Sequence, residues 1–223
     1  MTLEPDRDPS DLEVDLPDWL LPLRHLQRTV TAEQLSRWVP PDEGGRNSAV
    51  LMLFGEGVDG PDVLLIQRSL TMSSHPGQPA FPGGVVDDTD IDVVATALRE
   101  AEEETGLDPA GVHVVGVLPA LWLPPSGFIV TPVVAWWRVN SPVGVVDRGE
   151  VEQVLRVPMS ELLDPANRYS VRHPSGFVGP AFDVRGLLVW GFTGGLLSRV
   201  FALCGWEQPW DESAVRPLPE KWL

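Results

Sequence analysis

The stretch REAEEETGL (residues 99–107) decides the fold of this chain. It ends a longer segment in which apolar side chains recur every three or four residues, and this spacing predicts an amphipathic helix that Gly106 terminates. On such a helix Glu100, Glu103 and Glu104 occupy positions i, i+3 and i+4, so their carboxylates share one face. A hard cation such as Mg²⁺ or Mn²⁺ binds carboxylate oxygens, although a run of like charges is more often simply a solvated face.

Short apolar runs around this helix, which we place at residues 92–105, predict strands separated by Gly- and Pro-rich turns. The predicted strands cover residues 48–54, 63–67, 112–118, 128–139, 151–157, 169–172 and 177–184. Further helices are predicted near residues 33–39, 160–163 and 193–203. Helices interspersed among short strands indicate a layered α/β or α+β domain.

A long loop rich in Ser, Pro and Gly covers residues 68–84. Loops of this length inside a compact domain are usually functional, so we expect ligand contacts in it. Arg68 ends a strand and enters the loop, and its planar guanidinium matches the oxygens of a phosphate. His75 lies in the same loop, where a structural role is more common than a catalytic one.

Composition excludes several classes of protein. The 223 residues, 43% of them hydrophobic, suffice for one sizeable core. The net charge of -16 repels polyanions, so we expect no nucleic-acid partner. For the same reason, an anionic substrate needs a metal or a local arginine cluster in order to bind. Cys204 is the single cysteine, which excludes an internal disulfide and a four-cysteine zinc site. No apolar window approaches a membrane span, and the acidic N-terminus is unlike a secretory signal, so we expect a soluble cytoplasmic protein.

The chain divides into three segments by composition. Residues 1–22 are acidic and predict a disordered or loosely attached arm, residues 23–204 form the main domain, and residues 205–223 form a tail rich in Trp and Pro. The aromatic side chains of the tail either pack on their own domain or make a homodimer contact.

The stretch 99–107 resembles the second half of the Nudix box, Arg-Glu-hydrophobic-x-Glu-Glu-x-Gly-hydrophobic, and fills every specified position. The spacing from Gly84 to Arg99 is one residue longer than usual. Aspartates stand where the first half of the box usually has a glutamate, at positions 87, 88, 90 and 92. The same lengthened, aspartate-bearing first half is a feature of the branch similar to coenzyme A pyrophosphatases.

Other segments between residues 45 and 203 are similar to the same branch. They are residues 64–69 and 77–84 before the box, and Pro124-Pro125-Ser126-Gly127-Phe128, residues 131–134 and Trp190-Gly191 after it. One departure concerns Ser73 and Ser74, which stand where the branch carries a basic residue. The 3'-phosphate of coenzyme A then lacks a partner in this loop, unless a cation comes from elsewhere, and the candidates are Arg24, Arg28 and Arg46.

The resemblance implies an α/β/α sandwich with a mixed sheet, in which the box forms a loop, a helix and a loop. It implies hydrolysis of a diphosphate linkage in a small nucleotide derivative with Mg²⁺ or Mn²⁺ as cofactor, most directly in coenzyme A or an acyl-coenzyme A. The alternatives are ADP-ribose or a dinucleotide as substrate of the same chemistry, and a non-catalytic module that binds a nucleotide.

The resemblance also implies roles for individual residues. The expected metal ligands are Glu100, Glu103, Glu104 and the Gly84 carbonyl. Arg99 is expected to orient a glutamate through an ion pair. The general base is either Glu100 or Glu150, and for Glu150 a solvated loop position is an equal alternative. The expected substrate contacts are Arg68, Ser69, Phe81, Gly83 and Gly84.

Overall fold

The computed structural model describes residues 15–72, 75–124 and 126–222, apart from the side chain of Lys221. Its strands are β1 (Arg46–Gly57), β2 (Gly60–Arg68), β3 (Pro79–Ala80), β4 (Gly83–Val85), β5 (Val112–Val117), β6 (Leu121–Leu123), β7 (Phe128–Trp137), β8 (Val151–Pro158), β9 (Arg168–Arg172), β10 (Val178–Val184), β11 (Leu187–Val189) and β12 (Val215–Pro217). Its α-helices are α1 (Leu21–Thr29), α2 (Ala32–Leu35), α3 (Val93–Thr105), α4 (Met159–Leu163) and α5 (Gly191–Leu203).

The larger sheet is mixed and runs in the order β3-β2-β1-β7-β5. Strands β1 and β7 are parallel, whereas β1 is antiparallel to both β2 and β4. The C-terminal half of β1 pairs with β2 and its N-terminal half pairs with β4, so β3 and β4 fill a split between β1 and β2. A second sheet has the order β11-β10-β9-β12. Helices layered on a mixed sheet confirm the predicted α/β class.

Two apolar clusters cover the two faces of the larger sheet, because successive residues of a strand point to opposite faces. On one face, α3 packs Ala97 and Ala101 against Leu51 and its neighbours in β1. On the other face, Met52 and Phe54 join a larger core with α1, α5 and the second sheet. Among the described helices, only the carboxylate-bearing α3 contributes to the cluster on its side of the sheet.

Helix α3 begins and ends as its sequence predicts. The Asp92 carboxylate accepts a hydrogen bond of 2.8 Å from the Ala95 amide, and this N-cap satisfies an amide that lacks a helical partner. Gly106 adopts a left-handed conformation with φ of 70° and ends the helix, a conformation that glycine tolerates without steric cost.

The N-terminal region differs from its expectation. Leu16 and Leu20 are buried in the core, so the described residues of the expected arm, 15–22, pack on the domain, and residues 1–14 lie outside the described part. The helix expected at residues 33–39 is shorter, because the backbone becomes extended at Ser36 directly after α2.

The tail packs on its own domain in the described residues. Trp206 contacts the rings of Phe54 and Phe201, with centroids 5.8 and 6.1 Å away, and Trp222 is buried. Cys204 is also buried, and burial raises the pKa of its thiol to about 12. Among the described helices, none has the length and apolar character that a membrane crossing requires.

Candidate active site

A buried carboxylate marks the split between β1 and β2. The side chain of Glu104 is almost inaccessible, with 4% of the residue exposed, and its Oε2 accepts a hydrogen bond of 2.9 Å from the Gly83 amide. The pKa of Glu104 is raised to about 8, mainly by burial and in part by the nearby carboxylates of Glu100 and Glu150, although the Gly83 amide and Arg68 lower it. Burial beside two other carboxylates disfavours the charged form of a carboxyl group unless a cation lies nearby.

Glu100 lies directly against the backbone of Gly84. A β-carbon built on Gly84 would collide with the Glu100 carboxylate, so this position requires a residue without a side chain. Gly83 is similarly confined, since a β-carbon there would collide with the Ala49 carbonyl oxygen. Burial raises the pKa of Glu100, Arg99 opposes this shift, and Glu150 adds to it.

Arg99 connects the acidic loop before α3 to the carboxylates of the helix. Its guanidinium donates to both carboxylate oxygens of Asp90 at 3.0 and 2.9 Å, to Glu100 at 3.0 Å and to Glu103 at 3.0 Å. It also donates to the Val85 carbonyl at 3.2 Å. These hydrogen bonds hold the pKa of Asp90 well below its usual range. The ion pairs to Glu100 and Glu103 are of the kind that the resemblance implies, and the bidentate Asp90 pair is an addition that sequence reasoning missed.

Arg68, at the end of β2, and Glu150, directly before β8, lie near the buried carboxylate of Glu104. The Nε atom of Arg68 is buried without a hydrogen-bond partner among the described residues, and the charge of Arg68 stabilises ionised Glu104. Glu150 precedes β8, its carbonyl accepts a hydrogen bond of 2.8 Å from the Ser69 amide, and its side chain is exposed. The fold thus brings together residues that are far apart in sequence: Arg68, Gly83, Gly84, Glu100, Glu104 and Glu150.

Other predicted contacts are placed differently. The Phe81 ring is 2% exposed and belongs to the core, so it offers no open face to a ligand. Ser69 is buried too, and its hydroxyl pairs with Thr71 at 2.9 Å within the loop. His75 has a left-handed φ of 53°, and its Nδ1 lies 3.2 Å from Oε1 of Gln78. Three positions singled out in the sequence lie outside the described residues: Ser73, Ser74 and Pro125.

The residues present fit a divalent cation by donor chemistry and by charge. Their donors are hard oxygens, which suit Mg²⁺ or Mn²⁺, and burial disfavours the charged forms of Glu100 and Glu104, which Arg99 and Arg68 offset only in part. Within the described ranges no three acidic, His or Cys side chains already converge on one point. Glu103 pairs with Arg99 but is 57% exposed, so its side chain has room to rotate toward the others.

This chain is similar to known proteins in sequence and in structure. A family model described as the NUDIX domain matches residues 44–174. An uncharacterized Nudix hydrolase, NudL of Escherichia coli O7:K1, is 41% identical over 147 residues, which are 63% of this chain and 73% of NudL. The structure of a Nudix hydrolase from M. smegmatis, RenU, has a TM-score of 0.48 and 19% identity, covering 75% of this chain and 95% of RenU.

The NUDIX domain of Shewanella oneidensis NrtR, solved with ADP ribose, has a TM-score of 0.44 and 20% identity over 60% of this chain and 87% of that domain. The family assignment rests on the domain match, which includes the box, the loop before it and the strands around it, and on the sequence relative. The chain is a Nudix-type hydrolase and belongs to the Nudix family, whose enzymes hydrolyse nucleoside diphosphate derivatives.

Proposed function

We propose that this enzyme hydrolyses the diphosphate linkage of coenzyme A or an acyl-coenzyme A. In this proposal Mg²⁺ or Mn²⁺ is held by Glu100, Glu103, Glu104 and the Gly84 carbonyl. The observation that carries the proposal is the acid cluster of Glu100, Glu104 and Glu150 at the split in the sheet, where the buried Glu104 accepts a hydrogen bond of 2.9 Å from the Gly83 amide and the Glu100 carboxylate lies against Gly84. A divalent cation at these oxygens would relieve the repulsion among them.

The chemistry is the addition of water across a diphosphate. When bound, the cation supplies charge neutralisation on the phosphates and activation of the water. The water oxygen forms a bond to one phosphorus, the bridging P–O bond breaks, and two phosphomonoesters leave. We assign the acceptance of the water proton to Glu150, because its side chain is exposed and not hydrogen-bonded to Arg99, whereas Glu100 is.

Two arginines have different tasks in this proposal. Arg68 binds a phosphate oxygen, since its guanidinium lies beside the acid cluster and its Nε lacks a protein partner among the described residues. Arg99 is a positioning residue, because it contacts Glu100 and Glu103 and is itself held by Asp90.

The choice of coenzyme A is supported by the segments that resemble the coenzyme A branch, two of which are held to neighbouring elements by hydrogen bonds. The Thr193 hydroxyl, at the start of α5, donates to the Pro79 carbonyl at 3.1 Å. The Arg46 amide donates to the Gly127 carbonyl at 2.9 Å, which ties the turn before β7 to the beginning of β1. These contacts hold the start of α5 against β3 and the turn at Gly127 against the beginning of β1.

A substrate panel tests this proposal. Purified protein is incubated with Mg²⁺ or Mn²⁺ and with coenzyme A, acyl-coenzyme A, ADP-ribose, NADH or dinucleotides, and the products are identified by chromatography. We expect a phosphopantetheine-type product and adenosine 3',5'-bisphosphate from the coenzyme A compounds, at higher efficiency than from the others. Preference for ADP-ribose or a dinucleotide would overturn the choice of substrate, and binding without turnover of any compound would overturn the hydrolytic assignment.

A further inference from the structure

Two hydroxyl groups connect the loop after Arg68 to the turn that carries Glu150. Ser69 is 2% exposed, and its Oγ lies 2.9 Å from Oγ1 of Thr71. The Thr71 hydroxyl donates to the Gly149 carbonyl at 3.4 Å, and the Thr71 amide donates to the Ser69 Oγ at 3.3 Å. Because a hydroxyl has one proton to donate, the Ser69 hydroxyl donates to Thr71, and the Thr71 hydroxyl then donates to Gly149. The two hydroxyls therefore form a directed chain from one loop to the other.

A backbone hydrogen bond lies beside this chain. The Ser69 amide, directly after the end of β2, donates to the Glu150 carbonyl at 2.8 Å. The Ser69 carbonyl accepts from the Gly77 amide at 3.4 Å, which joins the two ends of the loop after Arg68. The backbone and the side chain of Ser69 thus both contribute to the contact between this loop and the turn before β8.

The position of the Glu150 carboxylate depends on that turn. Among the described residues no group donates a hydrogen bond to this carboxylate, so the backbone alone places it. The turn is shaped by Asp147, whose carbonyl accepts from the Glu150 amide at 3.2 Å and whose Oδ1 accepts from the Gly149 amide at 2.7 Å. The contacts with Ser69 and Thr71 attach the turn to the neighbouring loop.

The attachment lies beside the acid cluster. Arg68 precedes Ser69, and the charge of Arg68 lowers the pKa of Glu104. The charge of Glu150 raises the pKa of both Glu104 and Glu100. The hydroxyl chain therefore begins at the residue after the proposed phosphate contact and ends at the residue before the proposed proton acceptor.

We propose that the Ser69 and Thr71 hydroxyls are positioning groups that hold the Glu150 carboxylate in place relative to the phosphate bound by Arg68. The inference deepens the proposed function and rests on its assignment of Glu150 as the acceptor of the water proton. Such an acceptor must lie within hydrogen-bond reach of the water, so a small displacement of the turn lowers turnover. The two hydroxyls contact no reacting atom and act through Glu150.

Substitutions of Thr71 test the hydroxyl chain. Thr71 is exposed, and Thr71→Val removes the hydroxyl while keeping the shape of the side chain, whereas Thr71→Ser keeps the hydroxyl. For the best substrate of the panel, we expect Thr71→Val to lower kcat about three- to tenfold, the effect of one neutral hydrogen bond, and to change KM less than about twofold. Thr71→Ser should retain kcat within about twofold. Thr29→Val is the matched control, because the Thr29 hydroxyl donates to the His25 carbonyl at 3.1 Å at the end of α1.

A double-mutant cycle shows whether Thr71 acts through Glu150. Thr71→Val is introduced into the wild type and into Glu150→Gln, and kcat is measured for all four proteins. Once the carboxylate is removed, we expect loss of the Thr71 hydroxyl to change kcat less than about 1.5-fold, because groups that act as a unit have non-additive effects. Losses that multiply in the double variant would overturn the inference and leave the assignment of Glu150 intact.

Hydrogen exchange of the Ser69 amide, followed by NMR, measures the attachment without turnover, because this amide donates to the Glu150 carbonyl. We expect faster exchange of this amide in Thr71→Val than in the wild type, and wild-type exchange in Thr71→Ser and Thr29→Val. Unchanged exchange in Thr71→Val would overturn the inference whatever the kinetics show. Faster exchange in Thr71→Val together with wild-type turnover in Glu150→Gln would support the attachment and overturn the proposed role of Glu150.

Discussion

At the scale of single residues, Gly84 shows how the absence of a side chain positions a charged group. The Glu100 carboxylate occupies the space that a β-carbon on Gly84 would need. We expect Gly84→Ala to displace Glu100 and to lower turnover by about 10-fold or more, as loss of support for a metal ligand commonly does. Gly144→Ala is the matched control, because no atom lies within 4 Å of the added carbon. Steady-state kinetics of both variants provide the measurement, and wild-type turnover in Gly84→Ala would remove Glu100 from the site.

Arg68 is expected to act on substrate affinity. Its Nε lacks a partner among the described residues and its charge lies beside Glu104, so removal of the guanidinium should raise KM more than it lowers kcat. Arg68→Lys should not restore what Arg68→Ala loses, because an ammonium cannot reproduce the planar fork. Kinetics with both variants test this, and an unchanged KM in Arg68→Ala would return Arg68 to a structural role.

The spacing of the glutamates in the sequence predicts that Glu100, Glu103 and Glu104 share a helical face, and the structure agrees. The sequence does not reveal that Glu104 is buried while Glu103 is exposed, since that difference comes from β4 crossing over one end of the face. The Phe81 ring, expected to contact substrate, belongs to the core instead, because burial depends on the layer behind the loop.

At the scale of elements, the acidic loop and α3 act as one unit. Asp90 accepts hydrogen bonds from Arg99, from the Thr96 hydroxyl and from the Asp87 amide, and its side chain is only 5% exposed. Its pKa is lowered, so its contribution to stability is present at neutral pH and is lost only as the pH falls through that lowered value.

Asp90→Asn should therefore release Arg99, and through it Glu100 and Glu103. We expect a lower kcat and a higher concentration of Mn²⁺ at half-maximal activity, with the fold retained in circular dichroism. Asp88→Asn, at an exposed position of the same loop, is the control. If Asp90→Asn required the same concentration of Mn²⁺ as the wild type, Asp90 would not act on the metal ligands through Arg99.

The elements that the sequence predicts well are those with long periodic patterns. Helix α3 and strands β7 and β10 lie close to their expected bounds, because burial of one face gives α3 a period of three to four residues and the two strands coincide with short apolar runs. Strands β3 and β4 have only two and three residues, and they exist because β1 and β2 offer free hydrogen-bonding groups at the split. No local pattern specifies such strands.

At the scale of the whole molecule, the tail is fixed to the domain by aromatic and ionic contacts. Arg168 is completely buried, forms an ion pair of 2.8 Å with Glu207 and stacks on the rings of Phe182 and Trp210. The composition of the tail distinguishes it from the domain in sequence, yet its aromatic residues complete the core around α5. Composition alone does not show whether an aromatic residue packs within its own chain or on another.

Trp206→Ala tests the structural role of the tail. We expect it to lower the free energy of unfolding by roughly 2–4 kcal/mol, because it leaves a cavity against Phe54 and Phe201, and to leave KM unchanged. Leu203→Ala, at a position that is 41% exposed, should cost less than about 1 kcal/mol. Urea denaturation of the three proteins measures both values, and equal stabilities of Trp206→Ala and the wild type would contradict the packing described for the tail.

The central claim is that the carboxylates on α3 hold a divalent cation that the reaction requires. Its most direct test measures Mn²⁺ binding and coenzyme A hydrolysis in the wild type, Glu103→Gln, Glu104→Gln and Glu102→Gln, the last at an exposed position of the same helix. We predict that both Glu103→Gln and Glu104→Gln bind Mn²⁺ more weakly and lose about 10- to 100-fold or more in turnover, while Glu102→Gln matches the wild type. Unchanged Mn²⁺ affinity and turnover in Glu103→Gln and Glu104→Gln would contradict the claim.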